Sequence, residues 1–178
     1  IALSVCSTIH YWYKYVDTRD FVDLSKVNLK NAIDAKALDS KLSGLKWITP
    51  LYPENPKEEI FKLREVINII KNDTRNKTIV TDYQLVSVIL SSYDYSPNKY
   101  WFKLHVYPEK GNKYFDIYKR FFIDKLKENK IEIVYTIEPL VGDNDVLAAI
   151  LDNSCVKKTQ ITEILHSHLL LQCKDLEN

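Results

Sequence analysis

Two runs of β-branched residues do most to limit the folds open to this chain. Lys77-Thr78-Ile79-Val80-Thr81-Asp82 and Ile131-Glu132-Ile133-Val134-Tyr135-Thr136-Ile137 each suit a buried strand, because branching at Cβ fits a pleated backbone better than a helix. Between them Tyr114, Ile117, Tyr118, Phe121, Phe122 and Leu126 recur at three- and four-residue steps, the spacing of one helix face. Strands separated by helices in this way imply a crossover and a parallel sheet with helices on its faces.

The remaining elements are read in the same way. Ile33, Ala37, Leu38 and Leu42 predict a helix over 32–42, stopped at Gly44, and a short strand follows over 45–49. The clearest helix start is Asn55-Pro56, a capping residue before a proline whose fixed φ suits the first helical position, with Glu58 and Glu59 at the positive helix end. Ile60, Leu63, Ile67 and Ile70 then form one apolar stripe. Helices are expected over 84–91, 145–151 and 160–165, a long aromatic loop over 93–111, and a closing strand over 168–173. Strands separated by helices predict an α/β fold: a single three-layer αβα sandwich with a mainly parallel, Rossmann-like sheet over residues 28–178.

Composition narrows the function classes. The 178 residues carry a net charge of +1, with 46% hydrophobic and 28% charged residues, which is globular and not disordered. Interleaved lysines and acids at that net charge argue against a nucleic-acid partner. With only 3 glycines there is neither a G-x-G-x-x-G nor a G-x-x-x-x-G-K-[ST] loop. No serine lies in a G-x-S-x-G elbow, and His10, His105, His166 and His168 lack the i, i+4 spacing of a helical zinc site. No cofactor, no metal and no catalytic residue is expected.

The first residues bear on location. Ile1-Ala2-Leu3-Ser4-Val5-Cys6-Ser7-Thr8-Ile9 is uncharged, and His10-Tyr11-Trp12-Tyr13-Lys14-Tyr15 follows. A membrane span needs about 20 apolar residues. The stretch therefore reads either as the last turns of a membrane helix, with Tyr and Trp at the bilayer surface, or as a short element packing on the core. The absence of methionine favours the first, with residues 1–27 as the end of a transmembrane helix and a linker.

Ligands of open α/β sheets bind at the carboxyl ends of parallel strands. Those ends carry Asp82, Tyr83, Gln84 and Glu138, with Asp143 and Asp145 beyond. Converging carboxylates there either hold a divalent ion or sugar hydroxyls, or Asp82 caps the next helix and Glu138 is a solvated loop residue. Tyr100 and Trp101, in a cluster with Tyr93, Tyr95, Phe102 and Tyr107, either stack on a sugar or a protein partner or fold onto the core. Cys155 and Cys173 form either a disulfide or two buried thiols.

Gly44-Leu45-Lys46-Trp47-Ile48-Thr49-Pro50, Ile79 to Gln84, Ser96-Pro97-Asn98-Lys99, Ile131 to Leu140 and Cys155-Val156-Lys157-Lys158-Thr159 carry a resemblance. From about residue 28 onwards the chain resembles the C-terminal soluble region of bacterial membrane glycosyltransferases of the dolichyl-phosphate-mannose-protein mannosyltransferase-like type. The resemblance implies a polytopic inner-membrane parent using a polyprenyl-phosphate-linked sugar, with this domain on the periplasmic side. Catalytic acids of such enzymes lie between early membrane helices, so this region would be non-catalytic, packing on the membrane part of its own chain and helping to position acceptor or donor. The competing expectations are a free-standing small enzyme or binding protein for a nucleotide or phosphosugar, and a protein-interaction module.

Overall fold

A computed structural model describes residues 2–12, 27–91, 95–98, 101, 107–138, 146–151 and 155–171. The chain divides into two compact units, Ile1–Leu63 and Arg64–Asn178. Helix α2, Pro56–Asn72, contributes its first turns to one and its last turns to the other.

In the first unit, helix α1 is Ala2–Trp12. Two short strands, β1 (Ile33–Asp34) and β2 (Lys46–Trp47), pair antiparallel with Ile33 opposite Trp47. The helix expected over 32–42 does not form. Asn28, Asp34 and Asp39 each accept the backbone N–H two residues ahead, from Lys30, Lys36 and Lys41. Each such bond starts a new turn, so the segment becomes three separate 3-10 turns, Leu29–Asn31, Ala35–Ala37 and Ser40–Leu42, rather than one propagating helix. Gly44, at φ +86°, turns the chain into β2, a conformation without steric cost for glycine alone. Ala35, Leu38, Leu42 and Trp47 are buried. Beside them Glu59 is only 1% exposed. Its carboxylate accepts from Trp47 Nε1 at 2.8 Å and from Thr49 Oγ1 at 2.9 Å.

The second unit is built on a four-stranded sheet of β3 (Lys77–Thr81), β4 (Ile133–Ile137), β5 (Val156–Gln160) and β6 (Leu165–Leu170), in the order β3-β4-β6-β5. The crossover pair β3 and β4 is parallel, as the sequence pattern requires. The expected mainly parallel, Rossmann-like sandwich is nevertheless wrong: β6 runs antiparallel to β4, and β5 antiparallel to β6, giving a small mixed α/β fold. The reason lies at residues 161–164. No helix forms there, because Thr162 Oγ1 accepts the N–H of Leu165 at 3.1 Å while Ile161 N–H donates to Leu165 C=O at 2.9 Å. The chain doubles back in a tight turn, and strands joined that way pair antiparallel.

Helices α3 (Leu85–Leu90), α4 (Phe115–Glu128) and α5 (Val146–Ile150) complete this unit. One sheet face presents Val80 and Val134 to a cluster with Phe122 and Leu126 of α4, Leu147 and Ile150 of α5, and Trp101. The alternate residues Ile79, Ile133, Tyr135 and Ile137 are buried on the other face, so β3 and β4 are covered on both sides. Among the described residues no helix is long and apolar enough to cross a membrane.

Candidate functional site

The parallel pair fixes where the strand-end residues emerge. Thr81 lies opposite Ile137 in the register, so Asp82 and Glu138 leave the sheet from neighbouring strand ends. Beyond β3 the backbone turns sharply: Tyr83 N–H donates to Thr81 Oγ1 at 3.0 Å, and Gln84 N–H to Asp82 C=O at 3.0 Å. The Gln84 side-chain amide returns to Thr81 C=O at 3.3 Å, and the Tyr83 ring is buried. Glu138 is tied to the last strand, with its N–H donating to Ile164 C=O at 2.8 Å and Oε1 3.4 Å from His166 Nε2. Asp143, Asp145, Tyr100 and Cys173 lie outside the described residues. Among the described residues no group of three or more His, Cys, Asp and Glu side chains could hold a metal ion.

Next to this turn is a pocket enclosing about 20 Å³, lined by Thr81, Tyr83, Gln84, Ser87, Ser96, Asn98 and Trp101 among others. Small-molecule sites enclose about 300–1,000 Å³, so it falls below the range. Among the described residues its lining holds no cation to meet a phosphate. Its hydroxyls are also engaged: Ser87 donates to Gln84 C=O, and Ser96 donates to Asn98 C=O at 2.8 Å while accepting from Trp101 Nε1 at 3.0 Å. The Trp101 ring is 2% exposed and meets Phe122 edge-on at 5.8 Å and Tyr107 at 5.7 Å. It stands in the core, and its indole N–H anchors the Ser96 loop.

Two polar clusters were not read as sites from the sequence, where the spacing of His166 and His168 suggested opposite faces. His166 and His168, two apart on β6, share the sheet face that also bears Thr136. His168 is buried, with Nε2 3.0 Å from Thr136 Oγ1. Burial first, then the charges of Lys158 and His166, push its pKa down to about 4. On the opposite face of the sheet, Asp73 accepts from Tyr135 Oη at 2.5 Å and from Arg75 Nη2 at 2.8 Å and Nε at 3.0 Å. Lys77 Nζ donates to the Asp73 carbonyl. Burial pushes the Asp73 carboxyl up, but hydrogen bonds from Arg75 and Tyr135 outweigh it and hold the group well below the usual carboxylate range. Burial, then the bond to Asp73, raises the Tyr135 phenol to about 12. A neutral phenol donating to a permanent carboxylate is a structural clamp. A hydrogen bond to a charged group contributes about 1.5–3 kcal/mol, so Tyr135→Phe is expected to lower stability by about that amount in urea unfolding. Between the ordinary carboxyl range and pH 10 the variant's deficit should stay constant, and from 10 to about 12 it should shrink as the phenol ionises first in the unfolded chain.

No protein-family model, no curated protein and no solved structure matches this chain.

Proposed function

We propose that this chain is a non-catalytic, extracytoplasmic domain of a membrane glycosyltransferase that uses a polyprenyl-phosphate-linked sugar, and that it helps to hold donor or acceptor. The observation that carries the membrane attachment is α1. Its described side chains, Leu3 to Trp12, are all exposed, and they include no Lys, Arg, Asp or Glu. An 11-residue helix that buries none of these side chains has little to stabilise it in water. In a bilayer the same features fit: Thr8 Oγ1 bonds back to Ser4 C=O at 2.9 Å, and Tyr11 and Trp12 suit the headgroup layer. The sugar chemistry rests on the resemblance of the strand and loop motifs. Cys155 supports the compartment, since it is disulfide-bonded while Cys6 is free, and structural disulfides persist outside the cytoplasm. The pairing proposed for it is with Cys173, 18 positions on in the sequence.

Thiol counting in the native host tests the compartment. Unreduced protein should react with maleimide at one cysteine and reduced protein at three; three reactive thiols without reduction would sink an extracytoplasmic assignment. Closing a loop of this length is worth about 3 kcal/mol in the chain-entropy model, so reduction should lower the unfolding midpoint measurably. Sugar transfer from a polyprenyl-phosphate donor by the purified chain alone would overturn the non-catalytic reading. Replacing Leu3 and Ile9 by glutamate should release the chain from vesicles in a flotation assay.

A further inference from the structure

The row Thr78, Val134, His168 and Lys158 crosses all four strands on one sheet face, in the registers Thr78↔Val134, Val134↔His168 and Lys158↔His168. The next row on that face runs Val80, Thr136, His166 and Gln160. His168 is thus enclosed by Val134, by the Thr136 hydroxyl at 3.0 Å, and by Lys158 directly across the β5–β6 pair. It is 8% exposed, and Leu170, two residues on, packs against the α4–α5 core cluster. Lys158 from β5 and His166 from β6 are the charged or titratable groups acting on it, and His166 itself faces Glu138 at 3.4 Å. Among the described residues nothing in that surround compensates a positive charge: the neighbour across the strand is a cation, and the hydroxyl is at best one acceptor. A proton on His168 would bury a cation beside an ammonium, a state relieved only when the strand moves into water.

We propose that the β5–β6 hairpin is an acid-released latch, in which protonation of His168 detaches β6 from β4 while β3, α4 and the rest of the core stay folded. This holds whether or not the domain serves a sugar transferase. The direction follows from the depressed pKa. Above 6.5 His168 is neutral folded or released and costs nothing; between 6.5 and about 4 the released form binds the extra proton. Latch stability therefore falls as pH falls through that window and levels off below it. The window lies above the range in which the Asp73 clamp would titrate, so the two do not overlap.

Hydrogen exchange on the full chain, followed from pH 7 to 4 and corrected for intrinsic rates, tests this. Protection of residues 165–170 should fall about tenfold per pH unit, the slope for one linked proton, while residues 77–81 stay protected. His168→Gln should flatten the slope, and Lys158→Gln should narrow the window by letting His168 titrate nearer its ordinary value. A parallel loss of protection at 77–81 would mean global unfolding and overturn the latch. So would an unchanged slope in His168→Gln. Should that variant fold poorly, the imidazole of the native chain can be titrated by NMR: a midpoint near 6.5 overturns the proposal, and one well below supports it.

Discussion

Phe122→Ala should destabilise the sheet-bearing unit by about 3–5 kcal/mol, the range for deleting a fully buried aromatic ring. Phe122 is 0% exposed, meets Trp101 edge-on at 5.8 Å and lies 6.3 Å from Tyr118. It is the point where α4 holds Trp101 against Val80 and Val134. Little can collapse into the space, because Leu126 and Ile150 around it are themselves fully buried. Urea titration followed by near-ultraviolet circular dichroism would show the midpoint falling with an unchanged slope. Phe121→Ala is the control: its ring is 43% exposed on the outer side of the same helix, and the cost should stay within about 1 kcal/mol. Equal losses from the two variants would mean that α4 does not face the sheet as described.

The second large effect belongs to the first unit. Glu59→Ala would leave Trp47 Nε1–H and the Thr49 hydroxyl without their acceptor, in a site where the carboxylate is 1% exposed. Each orphaned buried donor costs about 1–3 kcal/mol, so a loss of about 3–4 kcal/mol is expected. Glu59→Gln keeps one oxygen acceptor and should cost about half as much. The discriminating partner is Trp47→Phe: combined with Glu59→Ala it should lose less than the sum, since both remove one bond. Additive losses would deny the coupling.

What could be read from residues alone follows from how strongly each segment repeats a period. The stripe Ile60, Leu63, Ile67 and Ile70 is buried on α2, and the β-branched runs are β3 and β4. These segments are covered by protein, so their composition reports their fate. β5 gave no such pattern. Four of its five residues, Lys157 to Gln160, are exposed on the sheet edge, where lysine discourages further pairing and no apolar alternation is needed. Missing β5 turned a hairpin into an imagined helix and made the sheet look parallel. The 32–42 segment failed for the opposite reason: its apolar spacing was helical, but Asp34 and Asp39 recruited the backbone for themselves. Among the site residues, the meeting of Glu138 with His166 depends on β6 lying beside β4. No local pattern carries that adjacency. The burial of His168 is equally non-local, since a strand residue's cover comes from segments far away in sequence.

The sheet order also sets a timetable for synthesis. β6, last in sequence of the described strands, sits second from the edge, between β4 and β5. A nascent chain that has released β3, α4 and β4 from the ribosome therefore carries β4 with one side unpaired until residues 165–170 arrive. The Ile133–Ile137 backbone is then a bare template of five apolar or β-branched residues, the kind of edge that recruits foreign strands. Shortening the chain by even its final strand would not trim the sheet from outside but remove its middle, leaving the parallel pair alone.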